Sequence, residues 1–214
     1  MNTLLTGFGP FLEIASNPTE RLVRHVERNP VPGHRLTTCV LPVSYGRAPQ
    51  MLIEAIDRGG EAGRPFDLVW MLGVASNSSH WRVERYGRND NAGAPDADNY
   101  TPPPLIDPAG PRLLEATVPV AAIVAELSRA GFPAEPSDSA GAYLCNHALY
   151  VALRHLRKSG QSIPAGFLHV PADTDTFPPG ASGSAQFTFA HQIAALHITL
   201  AALAGPSLND RRPS

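Results

Sequence analysis

Cysteine is scarce in this sequence. Its 214 residues include two cysteines, Cys39 and Cys145, and no C-x-x-C pair. Two thiols are too few for the disulfide framework of a small secreted domain, and zinc sites built on paired cysteines are excluded. The first residues, "MNTLLTGFGPF", have neither the basic stretch nor the long apolar run of a secretory signal. We therefore expect a cytoplasmic protein in which both thiols are free.

Excess positive charge and long apolar runs are also missing. Lysine and arginine together number 17 against 19 acidic residues, which leaves a formal net charge of −2. A chain without a basic field has no electrostatic means of gathering phosphates, so we expect no nucleic-acid partner. No apolar run approaches the roughly 20 residues that cross a bilayer, so we expect no membrane partner.

Patterns that bind cofactors or metals are incomplete. The "TGFGPF" segment holds Gly-x-Gly after a strand-like run, but the third glycine of a dinucleotide-binding turn is absent. No phosphate-binding loop of the Walker type and no H-x-x-x-H pair occurs. His147 and His155 lie on one predicted helix but about two turns apart, too far to share an ion. The sequence predicts no cofactor and no metal site.

Strand-like and helix-like segments alternate along the chain. Continuous apolar runs such as "FDLVWMLGV" are typical of strands covered on both faces, and amphipathic stretches follow them. This order predicts an α/β fold, a three-layer sandwich with a largely parallel twisted sheet flanked by helices, in a single domain over 1–214. We expect "HWRVERYG" to form an edge strand and the last helix to run from about Gln186 to Leu203.

The two cysteines have different surroundings. Cys39 sits in a β-branched strand run, where a buried core thiol is expected. Cys145 lies in "SAGAYLCNHALYVALRHL", in the first or second turn of a predicted helix with potential caps at Ser137, Asp138 and Ser139. A helix N-terminus favours a thiolate. The spacing alone leaves two interpretations open for Cys145, a buried core residue or a nucleophile.

A nucleophilic thiol needs a base and a group that orients the base. His147 lies about 200° around the helix from Cys145, so a structural role is favoured for it. His169 ends the apolar strand "AGFLHV" where sites of parallel sheets open, although a strand-end histidine bonded to backbone fits equally well. Glu84, in strand-like "RVERY", is a better orienting group than Asp90, Asp96 and Asp98, which lie in turn-rich sequence. An exposed glutamate paired with arginine is the alternative for Glu84.

Several of these segments together resemble the pyroglutamyl peptidase I (pyrrolidone-carboxyl peptidase) family of cysteine peptidases. They follow the family's order over nearly the whole chain, and the stretch around the cysteine is the most specific of them. The matching stretches are "LLTGFGPF", "LPVSY", "VER", "PDADN", "SAGAYLCNHALY" and "GFLHVP".

The resemblance implies an activity and a set of site residues. Cys145 matches the family's nucleophile, His169 its general base and Glu84 the acid that orients the base. Phe8 and Phe11 match the aromatic residues around the pyroglutamyl ring, and Tyr143 and Leu144 match pocket residues. The implied substrate is a peptide with N-terminal pyroglutamate. The implied assembly is a homo-oligomer, commonly a tetramer.

Two segments depart from the family pattern. A glycine-rich turn is replaced over 74–79, and the residues over 86–99 differ in sequence and length, with Ala94 where the family has an isoleucine. Both segments line the family's substrate pocket. Two alternatives to the peptidase therefore stand beside it, a catalytically weakened small-molecule binding protein and a cysteine amidase acting on another lactam.

Overall fold

A computed structural model of the protein describes residues 1–10, 16–60, 63–91, 94–176 and 186–205. Five helices and eight strands lie in these ranges. The strands are β1 (Asn2–Phe8), β2 (Arg35–Leu41), β3 (Leu68–Ala75), β4 (Trp81–Glu84), β5 (Tyr86–Arg88), β6 (Leu113–Glu115), β7 (Ala134–Ser137) and β8 (Ala165–Pro171). The helices are α1 (Pro18–Arg28), α2 (Arg47–Arg58), α3 (Val120–Arg129), α4 (Leu144–Lys158) and α5 (Phe189–Leu203).

Six strands form one sheet in the order β2-β1-β3-β8-β4-β7. The strands β2, β1, β3 and β8 are parallel to one another. The next strand, β4, pairs with β8 in the antiparallel sense and with β7 in the parallel sense. The predicted α/β fold with a largely parallel sheet is therefore confirmed, and β4 and β7 are the strands that run the other way.

Helices cover both faces of this sheet. Strand side chains alternate between the two faces, so neighbouring residues enter different cores. On one face Leu4, Met71 and Phe167 pack with buried side chains of α2 and α4. On the other face Leu5 and Trp70 pack with α1, α3 and α5. The predicted three layers are confirmed.

The strand β4 is inside the sheet, so the predicted edge position for "HWRVERYG" is wrong. Trp81 and Val83 are fully buried, and β4 is paired on both sides. The edge is taken by β7, which carries Pro136. Proline cannot donate to a ladder and therefore favours edge strands. Glu84 consequently ends an interior strand, next to the edge strand β7.

Two helix starts illustrate how local chemistry sets the elements. At α1 the Asn17 side chain accepts a hydrogen bond from the Thr19 N–H, and Pro18 occupies the first helical position. The last helix starts later than predicted, at Phe189, because Thr188 and His191 form a reciprocal capping box there. No helix in the described ranges is both long and apolar enough to cross a membrane.

Candidate active site

Cys145 is the second residue of α4, which begins at Leu144. Tyr143 occupies the N-cap position, and the first helical hydrogen bond runs from the His147 N–H to the Tyr143 carbonyl. Ser137, Asp138 and Ser139 lie before this start and do not cap it. The first N–H groups of a helix lack acceptors within it and carry its positive end. The thiol of Cys145 therefore lies where a negative charge is stabilised.

Gly73 of β3 makes room for this thiol. A Cβ added at Gly73 would lie 2.8 Å from Cys145 Sγ and 2.7 Å from a ring carbon of Phe167. Real Cβ atoms essentially never approach other atoms so closely. Because Gly73 has no side chain, the start of α4 can pack closely on the sheet, with Cys145 Sγ in contact with β3.

His169 lies on the neighbouring strand at the same level. Its Cα is the partner of the Cα of Gly73 in the parallel β3–β8 ladder, and its side chain is on the face that carries α4. The residue is 5% exposed, and its ring packs 4.8 Å, centroid to centroid, from that of Phe167. The register therefore brings the imidazole next to the thiol that rests over Gly73.

Glu84 completes the cluster from the antiparallel strand β4. The His169 Nδ1–H donates to Glu84 Oε1 at 2.7 Å, and Glu84 is fully buried. Glu84 Oε2 is also buried and has no hydrogen-bond partner within the described ranges. Because Nδ1 is held by the carboxylate, Nε2 is the ring nitrogen left to exchange a proton.

The surroundings set the charge of His169. Burial lowers the pKa of the imidazole, but the negative charge of Cys145, hydrogen bonds to the Cys145 and Glu84 side chains, and the charge of Glu84 together raise it to about 9. The ring therefore keeps its proton well above neutral pH. A thiol at a helix start, a buried imidazolium and a carboxylate that orients it form an arrangement that can perform nucleophilic catalysis.

The remaining cysteine and the nearest histidine are placed differently. The His147 Nδ1–H donates to Asn91 Oδ1 at 2.9 Å, and burial lowers the pKa of His147 to about 4. His147 is thus a neutral structural residue, as its position on the helix predicts. Cys39 is half-buried against the core of the α2–α4 face, and burial raises the pKa of its thiol.

The predicted pocket residues differ in exposure. Phe8 ends β1 on the same sheet face and is 4% exposed, and its N–H donates to Thr19 Oγ1. Leu144 is 2% exposed within the core. Tyr143 is half-buried, and its Oη donates to the Pro95 carbonyl at 3.0 Å. Phe11 lies outside the described residues.

The second segment that departs from the family pattern, over 86–99, packs near the start of α4. Asp96 is 6% exposed and accepts from the Tyr45 N–H through Oδ2 and from the N–H groups of Asp98 and Tyr100 through Oδ1. This local bonding is what the turn-rich sequence around Asp96 predicts. The Tyr45 ring in turn packs edge-on against Tyr143, 5.6 Å between centroids. The segment thus supports the residue that precedes the helix.

Two residues that fix the site were missed by the sequence reasoning. Asn146 is fully buried, accepts from the Arg88 N–H, and donates to the carbonyls of Arg88 and Asp90. Arg82 donates from Nη2 to Ser137 Oγ at 2.6 Å and to the Ser139 carbonyl at 3.0 Å. The available signal for Asn146 was a polar residue next to Cys145 at a predicted helix start. Arg82 gave no such signal, because its partners are more than 50 positions away.

Other parts of the described chain offer little for chemistry. A groove of about 1940 Å³ is lined by residues at the amino ends of the strands, including Met1, Asp67 and Pro164, whereas His169 lies near the carboxyl end of β8. Within the described ranges, no group of three or more histidine, cysteine or acidic side chains could hold a metal ion.

Comparison with known proteins gives a consistent result. The sequence model of the family described as Pyroglutamyl peptidase matches residues 1–204. The pyrrolidone-carboxylate peptidase of Halalkalibacterium halodurans is 36% identical over 174 residues, which cover 80% of this chain and 84% of the relative.

Solved structures agree with the sequence match. The pyrrolidone carboxyl peptidase from Thermococcus litoralis has a TM-score of 0.88 and 32% identity, covering 98% of this chain and 96% of the other. The pyroglutamyl peptidase I from Bacillus amyloliquefaciens has a TM-score of 0.86 and 25% identity, covering 95% and 94%. The chain therefore belongs to the pyroglutamyl peptidase family of cysteine peptidases.

Proposed function

We propose that this protein is a cysteine exopeptidase that hydrolyses the amide bond after an N-terminal pyroglutamyl residue. The observation that carries the proposal is the buried pair formed by His169 Nδ1 and Glu84 Oε1, 2.7 Å apart, beside the thiol at the start of α4. In this proposal Cys145 is the nucleophile, His169 is the acid and base, and Glu84 orients the imidazole.

The first half of the reaction forms an acyl-enzyme. The Cys145 thiolate attacks the carbonyl carbon of the pyroglutamyl residue, and the oxygen takes up the negative charge. The C–N bond then breaks, and the His169 imidazolium gives its proton to the leaving amine. A pKa of about 9 for His169 supports this role, because the proton is present at neutral pH before the substrate arrives.

Backbone N–H groups at the start of α4 are placed to stabilise the oxyanion. The helix leaves its first N–H groups without intrahelical acceptors, and Cys145 is the second helical residue. In other enzymes one such donor contributes about 2.7–4 kcal/mol to transition-state stabilisation.

The second half of the reaction releases pyroglutamate. Neutral His169 takes a proton from a water molecule as that water attacks the thioester carbon, and the Cys145 thiolate leaves. Glu84 keeps Nδ1 protonated through both halves, so that the proton always moves at Nε2. Thiolate and imidazolium are thereby restored for the next cycle.

Substrate selection fits the aromatic surroundings of the thiol. A pyroglutamyl residue ends in a lactam ring with no free α-amine, so a largely apolar slot with few hydrogen bonds can select it. Phe8 is the last residue of β1. Tyr143 and Leu144 come directly before Cys145, at the start of α4. Phe11, together with these residues, is proposed to contact the ring.

Release of a chromogenic amine from a pyroglutamyl amide tests the proposal. We expect hydrolysis by the wild type, none by Cys145→Ala, and nearly wild-type rates for Cys39→Ala, which removes the other thiol. Activity retained in Cys145→Ala would sink the assignment of the nucleophile. A panel of amides built on other lactams tests specificity, and equal rates across the panel would favour a broader amidase.

Three further expectations from the sequence and the family resemblance stay predictions. They are a single domain over 1–214, a homo-oligomer such as a tetramer, and a cytoplasmic location. Light scattering coupled to size-exclusion chromatography measures the assembly, and a single cooperative calorimetric transition is expected of one domain. Cell fractionation tests the location.

A further inference from the structure

The hydroxyl of Tyr45 is buried and unpaired. Tyr45 is 5% exposed, and its Oη has no hydrogen-bond partner in the part of the chain that the structure describes. Buried polar groups in native proteins are almost always paired, and each exception calls for an explanation. A comparison lies on α4, where the Oη of fully buried Tyr150 donates to the Pro111 carbonyl at 2.9 Å.

Tyr45 packs against residues that lie next to Cys145 in the candidate active site. Its ring packs edge-on against Tyr143, with 5.6 Å between centroids, and against His147, with 5.1 Å. Tyr143 and His147 bracket Cys145 in sequence at the start of α4. The Tyr45 N–H is held by buried Asp96 at 2.8 Å, so the backbone that carries the ring is fixed.

The hydroxyl adds nothing visible to the fold. The edge-on contacts of Tyr45 with Tyr143 and His147 are made by ring atoms, and phenylalanine would make them as well. An unpaired buried hydroxyl loses its bonds to water on folding and regains none. Groups that oppose folding in this way cluster at functional sites, where a ligand meets their bonding capacity.

A pyroglutamyl residue brings a matching group. Its lactam ring carries a carbonyl oxygen, an acceptor that loses its bonds to water when the ring enters an aromatic slot. We propose that the Tyr45 hydroxyl donates a hydrogen bond to the ring carbonyl of the bound lactam and so helps to select pyroglutamyl substrates. This inference rests on the proposed function, because it takes the lactam as the ligand.

The ionisation of Tyr45 agrees with a donor role. Burial raises the pKa of its hydroxyl, and the negative charges of Tyr143, Asp96 and Cys145 raise it further. The hydroxyl therefore keeps its proton at neutral pH, as a hydrogen-bond donor must.

The variant Tyr45→Phe removes the donor and keeps the ring. We expect kcat/KM for a pyroglutamyl amide to fall on the order of 10-fold, chiefly through KM, and the affinity for 2-pyrrolidone to fall by a similar factor. The free energy of unfolding should stay unchanged or rise. Tyr150→Phe is the matched control, and we expect it to lower the stability and to leave kcat/KM unchanged.

The outcomes separate this inference from the proposed function. Calorimetric binding of 2-pyrrolidone requires no turnover, so Tyr45-dependent binding by a wild type that does not hydrolyse pyroglutamyl amides supports the inference and overturns the proposed function. Hydrolysis by the wild type with equal kcat/KM and equal 2-pyrrolidone affinity in Tyr45→Phe overturns the inference alone. A changed rate of Cys145 alkylation by iodoacetamide in Tyr45→Phe also overturns it, because the hydroxyl would then act on the thiolate.

Discussion

Cys145 Sγ rests directly against Gly73, where a Cβ would come within 2.8 Å of it. The contact joins the start of α4 to β3, and the β3–β8 register places His169 beside the same glycine. One missing side chain thus allows the thiol and the imidazole to approach each other over the sheet. No side-chain cap is present at the start of α4 in the described structure, so this close packing over Gly73 helps to position the helix start.

Gly73→Ala is expected to reduce activity strongly. The new methyl group must displace Cys145 or the ring of Phe167, and a misplacement near 1 Å at a reacting group lowers rates by about 100-fold. The measurement is kcat/KM for a pyroglutamyl amide. Gly46→Ala is the control, because a Cβ at Gly46 meets no atom within 4 Å. Equal activity of the two variants would contradict the proposed role of Gly73.

The proton of His169 is expected to set the alkaline limit of activity, with Cys145 as the main cause of its raised pKa and Glu84 as a further one. His169 has its pKa raised to about 9, so the proton for the leaving amine is present below that pH and is lost above it. The wild-type kcat/KM should therefore decline above about pH 9. In Glu84→Gln the carboxylate charge is gone, so the decline should begin at lower pH and the rate should fall by at least about 10-fold. An unmoved alkaline limb in Glu84→Gln would argue against the pair.

Asn146→Ala is expected to destabilise the protein. The change leaves three backbone groups, the Arg88 N–H and the carbonyls of Arg88 and Asp90, without the partner that the fully buried Asn146 side chain provides. A fully buried group left unpaired costs about 1–3 kcal/mol, and these three groups are partly buried, so we expect a total loss of roughly 3 kcal/mol in the free energy of unfolding. Urea denaturation measures it. Gln50→Ala, which loses an exposed bond to Glu54, should change stability by less than about 0.5 kcal/mol.

Burial of His147 is expected to make stability depend on acid. Its pKa falls from 6.5 in the unfolded chain to about 4 in the fold, so the unfolded state binds the proton more readily. The stabilisation is complete above pH 6.5 and is lost as the pH falls toward 4. Between pH 7 and pH 5, unfolding of the wild type should become easier by about 2 kcal/mol relative to His147→Gln. His169, whose pKa is raised, is present in both proteins, so its contribution to the pH dependence cancels when the two are compared. Parallel losses in wild type and variant would refute the assignment.

Much of the fold follows from local patterns. The apolar run of β3 and the predicted helix that carries Cys145 are both present in the structure. The pairing of β4 could not be read in this way. Alternation indicates a strand but carries no information on its neighbours, so an interior antiparallel strand resembles an edge strand in sequence.

The candidate site was predictable only in part. Helix position and strand ends nominated Cys145, His169 and Glu84, and the family resemblance gave them roles. The tight fit over Gly73 and the bonds of Arg82 depend on contacts between distant segments. The Tyr45 hydroxyl is notable because it is buried and unpaired, and this depends on the tertiary structure rather than on the local sequence.

The most direct test of the account is to identify the residue that becomes acylated during turnover. Wild-type protein is mixed with a pyroglutamyl amide, quenched in acid, digested and mapped by mass spectrometry. The account predicts a pyroglutamyl thioester on the peptide that carries Cys145, and none in Cys145→Ala. Rapid hydrolysis with the pyroglutamyl group on another residue, or with the same adduct yield in Cys145→Ala, would contradict it.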